Sequence, residues 1–337
     1  MSALSNLLIP AVLFFALGFF ARAIKSDLRV PPDLAKVLSI YLLMAIGLHG
    51  GYALGKADLA TAFNSVLWAI ILGFTLPLIG YGLLLMTRKV DSMNAAAIAA
   101  HYGSVSAGTF LTAIAYLDNL NISYESYPVI MLAVMESPAI IVGLLLASWS
   151  RQRIAATGNA SEAAVIRQHG MGDGQLGSLL HEAFTNGSVI LLIGSMVIGA
   201  ISGPASMEKL FPFIDEIFMG VLCLFLFEMG MEAARRIREF RKVGTVLIIF
   251  GLVMPLIGGG IGLIVGAMIL NMSVGGTLLV AVLGASASYI AVPPAMRLAV
   301  PEANPSFYLT LSLGITFPFN VIIGIPVYHA LAEQLVT

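Results

Sequence analysis

Long apolar runs separated by short polar connections occupy nearly the whole chain. A bilayer core of about 30 Å needs about 20 apolar residues at a rise of about 1.5 Å per residue. Runs of that length fall at 6–24, 35–54, 64–87, 93–117, 127–149, 186–203, 212–234, 243–270, 275–299 and 306–332. The expected fold is therefore all-α, a polytopic membrane protein of ten transmembrane helices. One connection, 150–185, is both long and polar, and too poor in apolar residues for a core of its own. It divides the chain into a first five-helix repeat (1–149), a linker loop (150–185) and a second five-helix repeat (186–337).

The two halves carry one pattern. "PLIGYGLLL" (77–85) aligns with "PLIGGGIGL" (255–263), "LMAIGLHGG" (43–51) with "LFEMGMEAA" (226–234), "YGSVSAG" (102–108) with "LGASASY" (283–289), and "ESPAIIVG" (136–143) with "TFPFNVIIG" (316–324). An odd number of spans per half makes the second copy enter the membrane from the opposite face. Inverted repeats of this kind mark secondary transporters, which bind substrate and coupling ion near mid-membrane at helices broken in corresponding positions.

Both expected breaks are visible. Span 4 is interrupted by Gly103, Ser104, Ser106 and Gly108, and span 9 by Gly284, Ser286 and Ser288, followed by Pro293 and Pro294. Small residues in membrane helices also serve close packing; a symmetric pair of clusters favours a site. A helix broken in mid-bilayer leaves N–H and C=O groups that protein, water or ligand must satisfy. Half-helix N-termini converging on one cavity would offer N–H donors and partial positive charge to a small anion. Serine hydroxyls and free carbonyls there are oxygen ligands of the kind a sodium ion takes.

Composition agrees with a membrane protein: 59% of residues are hydrophobic and 10% charged, against about 25% charged in ordinary soluble domains. The first run lacks the charged start and cleavage site of a removable leader and reads as a retained helix. The lone Cys223 excludes an intramolecular disulfide. Of the 17 Lys and Arg residues, all but Lys56 and Lys209 fall in the connections after spans 1, 3, 5, 7 and 9. The positive-inside rule makes that side cytoplasmic, with both termini outside.

Few polar residues lie inside the spans. Glu136, in "VMESPAI", sits near the centre of span 5, where an ionisable group costs at least about 2.5 kcal/mol and is a functional candidate by default. Asn320 lies in the matching part of span 10. Glu228 and Glu232 lie towards the basic end of span 7, and Glu232 with Arg235 or Arg236 also fits an ordinary helix pair. His49 fits an interfacial or packed residue, and His101, just before the first break, is a candidate for gating or proton coupling. No zinc-type cluster, phosphate-binding Gly-Lys loop or nucleophile with a base is present. The expectation is a transporter and not an enzyme, without cofactor and without nucleic acid.

"IGLHGG", "NISYESY", "VMESPAI", "MGMEAARRI" with "RKV" after it, and "VPPAMRLAVPEANPSFY" resemble the sodium-dependent bicarbonate transporters of cyanobacterial carbon-concentrating systems. The resemblance implies ten helices in two inverted repeats, a core and a gate domain, a homotrimer in the bacterial inner membrane, and sodium-coupled bicarbonate uptake by alternating access. It also implies a trimeric PII-like nucleotide-binding regulator docking from the cytoplasm, for which the loops around Arg151 to His169 and Arg235 to Lys242 are the expected surface. Its substrate site falls on Gly103, Ser104, Val105, Ser106, Ala107, Gly108 and Thr109 at the first break, and on Ala285, Ser286, Ala287, Ser288 and Tyr289 at the second. Sodium or coupling candidates are Ser106, Glu136, Glu232, Ser288 and Asn320, with sodium the only metal. Tyr289 stands where the family pattern has Asp, which bears on both sodium ligation and the anion accepted. A sodium-coupled carrier of another small organic or inorganic anion, and an anion channel, are the alternatives.

Overall fold

The computed structural model describes residues 9–28, 30–55, 58–156, 187–237 and 244–336. In chain order its helices are α1 (Pro10–Ala23), α2 (Pro32–Leu54), α3 (Leu59–Met86), α4 (Ser92–Gly103), α5 (Ala107–Asn119), α6 (Tyr127–Ala156), α7 (Gly187–Ile201), α8 (Pro204–Arg236), α9 (Thr245–Ile269), α10 (Val274–Ala285), α11 (Val292–Ala299) and α12 (Pro305–Val336). No strand occurs among the described residues. Six helices, α2, α3, α6, α8, α9 and α12, are long and apolar enough to cross a membrane, while α1, α7 and α10 are apolar but shorter. Most of the expected linker, residues 157–185, lies outside the described residues, as do Arg238, Arg241 and Lys242.

Local chemistry accounts for where the helices begin. Asp58 caps α3 by accepting from the Thr61 N–H, Asp91 caps α4 from Met93 and Asn94, and Ser273 caps α10 from Gly276. Proline, whose missing N–H costs nothing in a first turn, opens α1, α8 and α12. Prolines inside helices need compensation. Pro255 in α9 cannot donate to the Gly251 carbonyl one turn back, and the Thr316 hydroxyl donates to that carbonyl instead, at 2.8 Å. Tyr102 of α4 hydrogen bonds to the same Thr316 oxygen at 2.6 Å, so α4, α9 and α12 are pinned at one point. Pro212 coincides with a π-helical turn in α8, where the Tyr41 hydroxyl donates to the Phe213 carbonyl.

The packing joins the two halves of the chain by exchange. Helix α1 lies along α8, and α7 lies along α2. Glycines set both contacts. Gly18 sits against the Phe227 carbonyl and Gly230 against the Phe15 carbonyl; Gly199 sits against the Leu48 carbonyl and Gly47 against the Leu192 carbonyl. A Cβ at any of these would strike backbone, so the helices approach as closely as small residues allow. At the centre, α4 and α10 are the most enclosed helices, with every residue from Met93 to Gly103 and from Gly275 to Ala285 buried. Helix α4 packs on α3 and α6, and α10 on α9 and α12. The outward faces carry exposed apolar residues such as Phe63, Leu78, Ile201 and Ile249, a surface suited to lipid.

Candidate functional site

The chain leaves helical geometry at two places that face each other. Helix α4 stops at Gly103, Ser104 is extended (φ −89°, ψ 177°), and α5 starts after Ser106. Helix α10 stops at Ala285, and Ser286 has nearly the same backbone angles (φ −87°, ψ 165°). One spacing along the chain separates the two capping residues Asp91 and Ser273 and also the two exit residues Ser104 and Ser286.

Cross-bonds tie the interruptions together. The Ser106 N–H donates to the Ser286 hydroxyl oxygen at 3.0 Å, and the Ser288 N–H donates to the His101 carbonyl at 2.8 Å. Asn320 of α12 donates from its amide to the Ala285 carbonyl at 2.8 Å, satisfying the broken end of α10. Ser106 caps α5, its oxygen accepting from the Thr109 N–H at 3.2 Å and the Thr109 hydroxyl at 2.9 Å. Two of the N–H groups freed at the breaks, those of Ser106 and Ser288, are thus met from the opposite half of the chain.

The two breaks differ on their C-terminal sides. Helix α5 starts at once and runs 13 residues, so the N–H groups of Ala107 and Gly108 in its first turn have no intrahelical acceptor. After the second break helix resumes only at Val292, and Pro293 and Pro294 in its first turn have no N–H to offer. Helix N-terminal donors therefore come from α5 and not equally from both sides, a departure from the symmetric grip expected of two half-helices.

A small cavity adjoins the breaks. Val105, Ser106, Ala107, Ser288 and Tyr289 line it, with Leu132, Ala133 and Glu136 of α6, Ser39 and Leu43 of α2, and Phe225 of α8. Its ≈ 20 Å³ is room for about one water. Oε2 of Glu136 is buried there and has no hydrogen-bond partner among the described residues. An oxygen so placed is unsatisfied until a cation, proton or water reaches it.

Beyond Tyr289 the molecule opens into a crevice of ≈ 1120 Å³ bordered by Arg22, Lys36, Arg235, Arg236 and Arg297, with Glu228 and Glu232. Ser39, Leu43, Phe225, Tyr289 and Ile290 border both spaces. A separate shallow cavity holds His49, Asp118, Tyr124 and Asp215, with His49 Nδ1 3.2 Å from an Asp215 oxygen.

Of the residues expected from sequence, Val105, Ser106, Ala107, Ser288, Tyr289 and Glu136 come together on the cavity wall. Gly103, Ser104, Gly108, Thr109, Ala285, Ser286 and Ala287 lie off that wall and frame it, with Gly103 pressed on the Pro77 ring of α3. Asn320 reaches the break as a backbone ligand. Glu232 lies away from the cavity, its oxygens bonded to Arg236 Nε at 2.8 Å and Arg235 at 3.4 Å. One turn earlier, Glu228 borders the crevice beside Tyr289 with a buried oxygen that has no hydrogen bond among the described residues. The signal that could have separated the two acids was their distance from Arg235 and Arg236, since only Glu232 reaches both. His101 is not on the cavity wall: it stacks on Tyr308 (4.3 Å between ring centroids) and its Nδ1 bonds the Ala97 carbonyl at 2.7 Å.

No curated protein matches the chain. Residues 10–333 match a family described as the Na+-dependent bicarbonate transporter superfamily. The match takes in α1 through most of α12, both interruptions and the cavity between them, and the chain belongs to the Na+-dependent bicarbonate transporter superfamily.

Proposed function

We propose that this protein is a sodium-coupled bicarbonate symporter working by alternating access, with its substrate site where the α4–α5 and α10–α11 interruptions meet. The observation that carries the reading is the unpaired, buried Glu136 carboxylate oxygen on a cavity whose wall includes the first turn of α5. Helix N-terminal N–H groups suit an oxyanion, and carboxylate and hydroxyl oxygens suit sodium, so one small space offers both kinds of ligand. Ser106, Glu136 and Ser288 are the side chains that would serve sodium; Asn320 holds the frame, and Glu232 acts at the crevice rim.

In this reading α4–α5 and α10–α11 each form one broken transmembrane helix. The ten resulting spans fall into two inverted repeats, 1–149 and 186–337, joined by the 150–185 loop. Support comes from the matched capping and exit residues and from the exchanged packing of α1 on α8 and α7 on α2. The basic residues around the large crevice make that side cytoplasmic, with both termini outside and the crevice opening inward. The family resemblance further favours a homotrimer in a bacterial inner membrane. It also favours a PII-like cytoplasmic partner on the surface near Arg153, Arg235 and Arg236; Arg151, expected on that surface, is buried against Glu302 and Ala299, and residues 157–169 and 238–242 lie outside the described residues. Transport on this account needs no cofactor and no enzymatic step.

A second reading, a carrier for another small anion, is favoured by Tyr289 standing where the family pattern has Asp. Purified protein in proteoliposomes distinguishes them. An inward sodium gradient should drive accumulation of labelled bicarbonate above its equilibrium level. Accumulation driven by a proton gradient alone, or of a competing carboxylate but not of bicarbonate, would overturn the first reading.

A further inference from the structure

Tyr289 borders both the cavity at the breaks and the basic crevice. Of the side chains that share this position, Ser39 and Leu43 belong to α2 and Phe225 to α8, so they are fixed by long helices. Tyr289 and Ile290 instead lie on the non-helical stretch between α10 and α11, and Ile290 is turned outward, 41% exposed. Tyr289 is 9% exposed, its ring packed edge-to-face on Phe317 with 5.7 Å between centroids.

The hydroxyl end is held against α5. A Cβ on Gly108, in the first turn of α5, would strike the Tyr289 hydroxyl and crowd the rings of Phe225 and Phe317. The hydroxyl is near enough to Ser106 and to the Gly108 backbone to interact with both, yet it completes no hydrogen bond of good geometry among the described residues. It thus fills the space beside Gly108 at the start of α5 without a hydrogen bond of good geometry there. A buried hydroxyl in that condition is more stable once it finds a partner, so the position is one the side chain can leave.

We infer that Tyr289 is the inner gate of the cavity: its ring is the partition from the basic crevice, and its hydroxyl holds the place on α5 that an anion oxygen would take. The inference rests on the reading of this cavity as the transport site. The ≈ 20 Å³ now open is too small for a three-oxygen anion. Rotation of the side chain to another staggered position would add the hydroxyl's volume to the cavity and join it to the crevice, without moving a helix. Tyr289 would then set the size of the accepted anion as well as close the path behind it.

Thiol labelling tests the gate without reference to any substrate. In full-length protein with Cys223→Ser, carried in lipid nanodiscs so that both faces are open, Val105→Cys puts a thiol on the cavity wall and Arg22→Cys puts one in the crevice. With Tyr289 present, a charged thiol reagent should modify Val105→Cys slowly and Arg22→Cys quickly. Adding Tyr289→Ala should raise the Val105→Cys rate by about tenfold and leave the Arg22→Cys rate unchanged; Tyr289→Phe, which keeps the ring, should keep it slow. Should the alanine variant fail to assemble, Tyr289→Leu supplies the same comparison with an intermediate rate. An unchanged Val105→Cys rate in folded Tyr289→Ala or Tyr289→Leu protein overturns the gate, even if bicarbonate uptake is normal. Fast labelling in those variants upholds the gate even if the transported anion proves to be another.

Discussion

The Ser106 N–H donates to the Ser286 hydroxyl oxygen across 180 positions of chain. Both residues are buried, and Ser286 is itself the first residue past the end of α10. Ser286→Ala would leave the buried Ser106 N–H without this acceptor, a loss of about 1–3 kcal/mol. Thermal unfolding in detergent should show that destabilisation. Ser286→Thr, which keeps the hydroxyl, should recover most of it; equal losses for Ala and Thr would mean the bond contributes nothing.

Bulk at the cavity wall should block transport from either side. Ser106→Leu and Ser288→Leu each place a branched side chain beside a space of ≈ 20 Å³. Each should abolish bicarbonate uptake, and the double variant should be no worse than either single because the shared site is already closed. Normal transport by one single variant would leave that break a packing contact only. Ser106→Leu also removes the cap of α5, so its assembly has to be verified by size and by unfolding.

The two acids of α8 should differ. Glu232 is engaged with Arg235 and Arg236 on its own helix, a local pair of about 0.3–0.5 kcal/mol. Glu228 borders the crevice next to Tyr289 and keeps a buried oxygen with no hydrogen bond among the described residues. Uptake by Glu228→Gln should fall further than uptake by Glu232→Gln in matched proteoliposomes. The reverse order would return the functional role to Glu232.

A clamp away from the cavity should matter for folding alone. Arg151, at the end of α6, gives Nε and Nη2 to the two oxygens of Glu302 at 2.9 and 2.8 Å, and Nη2 also donates to the Ala299 carbonyl at 2.7 Å. The guanidinium is nearly buried, its side chain 6% exposed. Glu302→Ala would strand that charge and cost about 3–5 kcal/mol. The unfolding temperature should drop sharply, while the sodium requirement of any surviving uptake stays as it was.

Much of this arrangement is legible in the amino-acid sequence itself. Length of apolar run locates helices because a span of about 20 apolar residues satisfies its own backbone in lipid only as a helix, and Gly103 to Ser106 and Ala285 to Ser288 point to interruptions because like clusters of small residues recur at corresponding places in the two halves. Sequence reasoning cannot say that α11 resumes only at Val292, which makes the donors at the two breaks unequal; Pro293 and Pro294 mark a change of direction without fixing where it ends. Nor can it see that Glu228 borders the crevice beside Tyr289, or that Asn320 bonds the Ala285 carbonyl. Those outcomes depend on which face each long helix turns to its neighbours, and the Gly18–Phe227 and Gly199–Leu48 contacts that fix those faces join residues far apart in the chain.

The central claim is that sodium and bicarbonate bind together at the cavity that Glu136 lines. Linkage then requires sodium to tighten bicarbonate binding, by about 5- to 150-fold if the coupling is of ordinary size. The decisive measurement is the bicarbonate dissociation constant of purified protein in sodium and in potassium at equal ionic strength, for the wild type and for Glu136→Gln. The account predicts tighter binding in sodium for the wild type and little difference between the salts for Glu136→Gln. Equal affinities in both salts for the wild type, or an undiminished sodium effect in Glu136→Gln, would contradict it.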